Sequence, residues 1–258
     1  MKTATLFGLP FLVASLPSVA KEVVAAGKNR ERSLLFTANV DHIVLLSMDE
    51  RFKKAYNEAS FVTADGMPVV WLGRLLGIAF PERVAGSDLL LEVATLASEQ
   101  DLTVFLLGGA QGIPEKAADR LKALNPGLKI VGALSPSMGF EKNETENQSV
   151  IKEIDRTNPD ILLVGFRSPR QEIWLVEHRF RMRFGVAIGV GGTFDFLAGN
   201  VRRAPKWMQT MGLEWFFRLS MEPRRLWKRY LVRDLRFVIL SLREILSSRK
   251  KSGKMPKP

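Results

Sequence analysis

The sequence predicts an α/β protein with a Rossmann-like, mostly parallel sheet, helices on both faces of that sheet, and a basic amphipathic helical appendage at the C-terminus. Through the first 200 residues, continuous apolar runs alternate with helical segments, which is the pattern of parallel strands buried on both faces. Beyond Gly199 the chain becomes helical, basic and rich in tryptophan. We therefore expect an α/β domain at 1–200, the appendage at 201–248 and a disordered basic tail at 249–258.

Strands are expected where apolar and β-branched residues form short continuous runs. The predicted strands are Thr5–Val13, Ser33–Asn39, Phe61–Asp65, Thr103–Gly109, Leu128–Leu134, Asp160–Phe166 and Gly185–Gly192. The first has an alternative interpretation, because residues 1–20 resemble a secretory signal. Gly8, Pro10 and Pro17 interrupt that apolar run, which favours a strand and a helix. No run reaches the roughly 20 apolar residues that span a bilayer, so we expect a soluble or peripheral protein.

Helices are expected between the strands, where apolar residues recur at helical spacing. The predicted helices are Ser18–Ala26, Val40–Ala59, Pro68–Leu76, Ser87–Gln100, Pro114–Leu124, Gln148–Thr157 and Arg170–Arg181. The segment Ser135–Asn147 is predicted as a surface loop because Pro, Gly and Asn cluster there. One long amphipathic helix is predicted in the appendage. Its apolar stripe is Trp227, Leu231, Leu235, Val238, Leu242 and Ile245.

Composition excludes several kinds of chemistry. The chain has no cysteine, which excludes disulfides, thiolate metal sites and cysteine nucleophiles, and its two histidines are too few for a His-rich metal site. Residues 1–200 carry 22 basic and 23 acidic side chains, whereas residues 201–258 carry 16 basic and four acidic ones. This asymmetry indicates a polyanionic partner, which is a membrane surface, a nucleic acid or a phosphorylated substrate.

Polar residues and glycines follow the ends of the predicted parallel strands, which meet at one edge of the sheet. They are Thr37, Asn39, Asp65, Gly108, Gly109, Gly112, Arg167 to Gln171 and Gly191 to Asp195. Asp65 has two interpretations. It is either a catalytic carboxylate or a cap of the helix that Gly66 and Pro68 begin.

The glycine-rich turn after Leu107 fits neither a dinucleotide-binding fingerprint nor a P-loop, so we do not expect NAD. Its glycines either present N–H groups to a phosphate or allow close strand–helix packing. The sequence also lacks a D-x-D pair, so a diphosphate leaving group would require arginines or helix N-termini. Candidate arginines are Arg83, Arg218, Arg224, Arg225 and Arg229, and the alternative for those in the appendage is a solvated or lipid-facing surface.

Nine motifs in order carry a family resemblance. They are T-A-N at 37–39, A-D-G-M-P-V at 64–69, E-R-V-A-G-S-D-L at 82–89, L-L-G-G at 106–109, P-R-Q-E-I-W at 169–174, G-V-G-G-T-F-D-F-L-A-G at 189–199, R-A-P-K-W at 203–207, G-L-E-W at 212–215 and R-L-x-x-E-P-R-R at 218–225. Over about residues 5–240 the chain resembles the WecG/TagA/CpsF family of bacterial glycosyltransferases, glycosyltransferase family 26.

The resemblance implies inverting, metal-independent and cofactor-free transfer of a hexose or N-acetylhexosamine. The donor would be a UDP-sugar and the acceptor a polyprenyl-diphosphate-linked saccharide, in cell-surface polysaccharide synthesis. The enzyme would be cytoplasmic and peripheral on the inner face of the membrane. Residues 1–200 would bind the sugar nucleotide, and 201–248 would associate with the membrane and help to complete the active site.

Site residues follow from the same resemblance. Asp65 matches the proposed general base. The positions that match substrate-binding residues are Thr37, Asn39, Arg83, Gln171, Arg218, Arg225 and Arg229, and those expected to contact the nucleotide are Gly108, Gly109, Gly191 and Asp195. The third phosphate-binding residue of the appendage falls at either Lys228 or Arg229.

One carboxylate suffices as the base of a single displacement, whereas retention through a glycosyl-enzyme also requires a nucleophilic carboxylate. Because Asp65 and Asp195 are the only acids expected at the sheet edge, and the resemblance gives Asp195 to the nucleotide, we predict inversion. Two alternatives are a basic nucleic-acid- or membrane-binding protein and an inactive sugar-nucleotide-binding homologue. The sequence leaves the sugar, the acceptor and the oligomeric state open, including a homo-oligomer.

Overall fold

The computed structural model describes residues 1–252, and the side chains of residues 1–248. The strands are β1 (Thr3–Leu6), β2 (Leu9–Leu12), β3 (Ser33–Ala38), β4 (Phe61–Ala64), β5 (Thr103–Gly108), β6 (Lys129–Leu134), β7 (Ile161–Gly165) and β8 (Val186–Gly189). They form a sheet in the order β1-β2-β4-β3-β8-β7-β5-β6. Among these strands β1 pairs antiparallel with β2 and the other pairings are parallel. The predicted α/β fold is confirmed.

Helices connect the strands and form the appendage. They are α1 (Leu16–Lys28), α2 (Val40–Leu46), α3 (Glu50–Asn57), α4 (Met67–Leu75), α5 (Gly86–Glu99), α6 (Ile113–Leu124), α7 (Glu144–Thr157), α8 (Arg170–His178), α9 (Thr193–Leu197), α10 (Lys206–Thr210), α11 (Glu214–Met221), α12 (Pro223–Lys228) and α13 (Arg236–Ser252). The disorder predicted for 249–258 falls on residues outside this description, apart from the backbone of 249–252.

The sheet is covered on both faces by apolar side chains. Along β3, Leu34 and Phe36 face a cluster formed with α2, α3, α4, α7 and α8, whereas Leu35 faces a second cluster formed with α1, α5, α6 and α9. Each of these three side chains is fully buried. A strand with apolar residues on both faces has no polar face, which explains the continuous apolar runs of the sequence.

The prediction of a single first strand at Thr5–Val13 is wrong, because two strands lie in this region. Phe7 and Gly8 both have positive φ and turn the chain between β1 and β2, so the segment is an antiparallel hairpin. Phe11 pairs with Val62 of β4 and is fully buried. The segment therefore forms one edge of the folded sheet.

Two helix boundaries also differ from prediction. The expected helix Val40–Ala59 is divided into α2 and α3, because the side chain of Asp49 caps a new helix by accepting hydrogen bonds from the N–H groups of Arg51 and Phe52. Helix α7 begins inside the predicted loop, where Asn143 caps it by accepting from the N–H of Glu146. In both cases a polar side chain begins a helix, as N-cap residues do.

The predicted long helix of the appendage is interrupted. Helix α12 ends at Lys228, a π-helical segment covers Arg229–Arg233, and α13 follows. Helix α13 packs on residues 1–200, called the body below, through Phe237, whose ring lies 5.8 Å from that of Phe7. Ile245 of the predicted stripe also packs inward. The rest of the stripe, Trp227, Leu231, Leu235, Val238 and Leu242, is exposed.

A close backbone approach at Gly185 gives a test of the packing. A Cβ at this position would contact the Gly27 carbonyl oxygen and lie 2.5 Å from that of Asp160. We expect Gly185→Ala to lower the free energy of unfolding by about 2 kcal/mol or more, because both neighbours are backbone atoms. Gly192→Ala is the control, because its Cβ would meet no atom closer than 3.9 Å. Equal losses in chemical denaturation would contradict this packing.

Candidate active site

Asp65 lies directly after β4, at the carboxyl edge of the sheet. Its N–H donates to the Ala38 carbonyl over 2.9 Å, which continues the pairing of β4 with β3. Gly66 follows with a φ of +147°, a conformation that favours glycine. Helix α4 then begins, with Pro68 in its first turn. The predicted strand, turn and helix around Asp65 are confirmed.

The alternative that Asp65 caps α4 is wrong. Gly66 occupies the N-cap position of α4, and that position makes no side-chain cap bond. The Asp65 carboxylate instead accepts from the N–H of Gly86, the first residue of α5, over 3.4 Å. Asp65 thus faces the N-terminus of a different helix.

Burial raises the pKa of Asp65 above its ordinary value. Arg83 and Arg218 lower the pKa of Asp65, whereas Glu214 raises it, and the balance leaves it raised. A carboxylate with a raised pKa accepts a proton more readily than an ordinary aspartate. The environment of Asp65 therefore suits a general base.

Arg83 connects the body to the appendage. Its Nη1 donates to Glu214 over 2.7 Å, and its Nη2 donates to Gln209 over 3.0 Å and to Asp88 over 3.3 Å. Glu214 also accepts from Arg218 over 2.8 Å. These contacts bring the guanidinium groups of Arg83 and Arg218 together on one carboxylate.

A second ion pair holds the start of the appendage beside the same site. The two terminal nitrogens of Arg203 donate to the two carboxylate oxygens of Asp88 over 2.6 and 2.7 Å. Although burial raises the pKa of Asp88, this guanidinium holds it below its ordinary value. The bidentate geometry fixes the segment before α10 against the first turn of α5.

Thr37 and Asn39 lie where β3 ends, next to Asp65. The Thr37 carbonyl accepts from the Tyr56 hydroxyl over 3.0 Å and lies 2.6 Å from Nδ1 of His42. Asn39 caps α2 by accepting from the N–H of His42. Asn39 therefore has a structural role at the position that the resemblance gives to substrate.

Gln171 is buried, and both the oxygen and the nitrogen of its side-chain amide make hydrogen bonds. Its Oε1 accepts from the Gly191 N–H over 3.1 Å, and its Nε2 donates to Glu172 over 2.8 Å. Ser168 donates to the same Glu172 oxygen over 2.7 Å. Gln171 thus fixes the turn that leads to Asp195, while its predicted contact with substrate stays a prediction.

The glycine-rich turn has a packing role. A Cβ on Gly108 would lie 2.8 Å from the backbone of Gly165, and the N–H of Gly109 donates to the Gly165 carbonyl over 3.2 Å. Close packing therefore explains these two glycines, and the Gly109 N–H is already used. Asp195, in the first turn of α9, is half-buried.

The other predicted phosphate-binding residues of the appendage differ in whether they face solvent or the body. Arg225 is exposed and pairs with Glu222 over 2.8 Å. Arg229 faces the body and lies 3.3 Å from Asp41, whereas Lys228 lies over the ring of Trp227. Of the two candidates for the third phosphate-binding residue, Arg229 is the one directed toward the body.

Sequence reasoning missed the acids and the amide that hold these arginines. They are Asp41, Asp88, Glu214 and Gln209. Asp88 and Glu214 occur inside the motifs E-R-V-A-G-S-D-L and G-L-E-W, and their place in these motifs was the one sequence signal that could have identified them. Within residues 1–248, no group of three or more His, Cys, Asp or Glu side chains is arranged to hold a metal ion.

Comparison with known proteins gives the class. A family model described as the glycosyl transferase WecG/TagA/CpsF family matches residues 4–251. The N-acetylglucosaminyldiphosphoundecaprenol N-acetyl-beta-D-mannosaminyltransferase of Bacillus subtilis (strain 168) is 31% identical over 232 residues, which cover 90% of this chain and 88% of the relative. The Bacillus spizizenii enzyme of the same name is 30% identical over the same shares.

The sheet-edge carboxylate, the arginines above it and these matches define a glycosyltransferase. The chain belongs to the WecG/TagA/CpsF family, which confirms the resemblance seen in its motifs.

Asp41 gives a test of how the appendage is held. Its side chain is only 7% exposed and pairs with both Arg229 and Arg233. We expect Asp41→Asn to remove the acid that Arg229 and Arg233 share, leaving Arg229, among the described acids, only its 3.9 Å contact with Asp234, and to speed hydrogen exchange in residues 229–248 by about tenfold or more. Asp101→Asn, which removes the exposed pair with Lys129, is the control. Unchanged exchange in the Asp41 variant would refute this docking.

Proposed function

We propose that this chain is an inverting, metal-independent glycosyltransferase. It moves a hexose or N-acetylhexosamine from a UDP-sugar to a polyprenyl-diphosphate-linked saccharide during cell-surface polysaccharide synthesis. The observation that carries the proposal is the half-buried Asp65 carboxylate, with its raised pKa, at the carboxyl edge of the sheet. The names of the Bacillus relatives specify a diphosphoundecaprenol-linked acceptor and an N-acetylmannosaminyl group. UDP-N-acetylmannosamine and a lipid-diphosphate-linked N-acetylglucosamine are therefore the first pair to test.

Asp65 takes the proton of the acceptor hydroxyl as that oxygen attacks the anomeric carbon, and UDP leaves from the opposite face. A retaining mechanism would need a second, nucleophilic carboxylate. Glu214 lies nearby but is engaged by Arg83 and Arg218, and Asp88 is engaged by Arg203. These ion pairs support a single displacement with inversion.

Arginines offset the charge of the leaving diphosphate in this mechanism. Arg218 is the best placed, because it is 38% exposed and close enough to Asp65 to affect its pKa. Arg225 and Arg229 bind phosphate after exchanging their present partners, Glu222 and Asp41. Gly191 and Asp195 contact the nucleotide, and the fixed Gly191 turn supports this assignment. No metal ion or cofactor takes part.

The appendage binds the cytoplasmic face of the cell membrane in this proposal, so the enzyme is peripheral. Its exposed apolar side chains include Trp215, Trp227, Leu235, Val238 and Leu242, and it carries most of the excess positive charge. Apolar and basic side chains together suit the headgroup boundary of an anionic bilayer. None of the described helices has the length and apolar character needed to cross a membrane.

Two other interpretations have an observation in their favour. The basic appendage suits nucleic acid, which a DNA gel shift tests directly. The exposed apolar face of α13 also suits a second copy of the chain, which sedimentation analysis detects. An inactive homologue would bind UDP-sugars without turnover. The polar cluster around Asp65 favours the transferase over nucleic-acid binding and over an inactive homologue, whereas association with a second copy is compatible with catalysis.

Asp65→Asn is expected to lower turnover by about 10²- to 10⁴-fold, because the acceptor hydroxyl then has no base. UDP binding, measured by calorimetry, is expected to stay near that of the unmodified protein. Asp195→Asn is the matched control, for which we expect weaker UDP binding. A folded Asp65→Asn protein with near-normal turnover would refute the assignment.

Membrane binding is tested by placing charge in the exposed apolar stripe. We expect Leu235→Glu combined with Leu242→Glu to abolish flotation with vesicles that contain anionic lipid, because two apolar side chains that would enter the bilayer are replaced by carboxylates that anionic headgroups repel. Leu124→Glu, at an exposed leucine of α6, is the control and should float normally. Flotation of the double variant at the normal level would argue against this surface.

A further inference from the structure

Arg83 lies beside Asp65 but donates its hydrogen bonds to other groups. Its three acceptors are Glu214, Gln209 and Asp88. Among the described side chains, Arg83 makes no hydrogen bond to Asp65, whose carboxylate accepts from the Gly86 N–H instead. The guanidinium is thus close enough to lower the pKa of Asp65 but is held outside direct contact.

Glu214 is the acceptor best able to hold Arg83 in this place. The Arg83–Glu214 contact is the shortest of the three at 2.7 Å, and the two side chains are only 12% and 17% exposed. The second oxygen of Glu214 accepts from Arg218 over 2.8 Å. One carboxylate therefore engages both guanidinium groups that act on Asp65.

We propose that Glu214 is a positioning residue for the transfer reaction. It holds Arg83 and Arg218 off the Asp65 carboxylate and so leaves that carboxylate free to take the acceptor's proton. The proposal rests on the proposed role of Asp65 as base. Because Glu214 begins α11, the base is free only when the appendage is docked on the body.

The direction of the effect follows from the charges around the two carboxylates. Arg83, Arg218, Glu214 and Tyr56 are the charged or titratable groups that interact with Asp65. Arg203 acts on Glu214 from the segment before α10. Loss of the Glu214 charge removes an influence that raises the pKa of Asp65 and frees two guanidiniums that lower it. The pKa of Asp65 then falls, and its carboxylate becomes a weaker base.

The test is Glu214→Gln in the full chain, with kcat followed against pH using UDP-N-acetylmannosamine and a lipid-diphosphate-linked N-acetylglucosamine. We expect the acid limb to move to lower pH by about one unit and the plateau kcat to fall by about 3- to 10-fold. Glu244→Gln is the matched control. It makes the same change of charge in the appendage but affects the contact with the Phe7 N–H, so its acid limb should not move.

A carboxyl ¹³C NMR titration of Asp65, assigned by comparison with Asp65→Asn, measures the same pKa without turnover. If Glu214→Gln does not fold, Glu214→Asp carries the test, because a side chain shorter by one methylene weakens both contacts and shifts the pKa in the same direction. An unchanged pKa and acid limb in the folded variant would overturn the proposal. A pKa shift in a protein that transfers no sugar would instead contradict the proposed function.

Discussion

Arg83 and Glu214 meet 2.7 Å apart at the carboxyl edge of the sheet, and their contact joins positions 131 residues apart in the chain. Both charges are largely removed from water, so each would be costly without the other. Arg83 belongs to the body beside the proposed base, whereas Glu214 belongs to the appendage. The site therefore depends on a contact between the two parts, and neither part alone supplies the same electrostatic surroundings for Asp65.

Pairing between arginines and acids also reduces the positive charge that the appendage presents to its surroundings. Four of its arginines pair with acids of the body or of α11, and these are Arg203, Arg218, Arg229 and Arg233. Arg202, Arg224, Arg236 and Arg243 remain exposed, and Arg225 is exposed but pairs with Glu222. The effective charge of the outer surface is thus smaller than the sequence suggests, and apolar contacts carry a larger share of the proposed membrane binding.

Sequence reasoning located the parallel strands and Asp65 because both have local signals, in apolar runs and in a turn that Gly66 requires. It missed the hairpin of β1 and β2, since the Phe7–Gly8 turn is hidden inside an apolar run. It also missed Glu214, because nothing local in G-L-E-W indicates a partner as distant as Arg83. Pairings between distant charges depend on the packing of whole elements, which local patterns do not encode.

The antiparallel direction of β1 also decides where the amino end of the chain lies. Thr3 pairs with Leu12, and Phe11 pairs with Val62 two residues before β4 ends. The amino end therefore reaches the carboxyl edge of the sheet, where Asp65 lies. The β1–β2 turn lies at the other end of the strands, where it contacts α13. Any peptide fused before Thr3 would start on the side of the molecule that holds the proposed base, and there it would compete for space with the proposed lipid-linked acceptor.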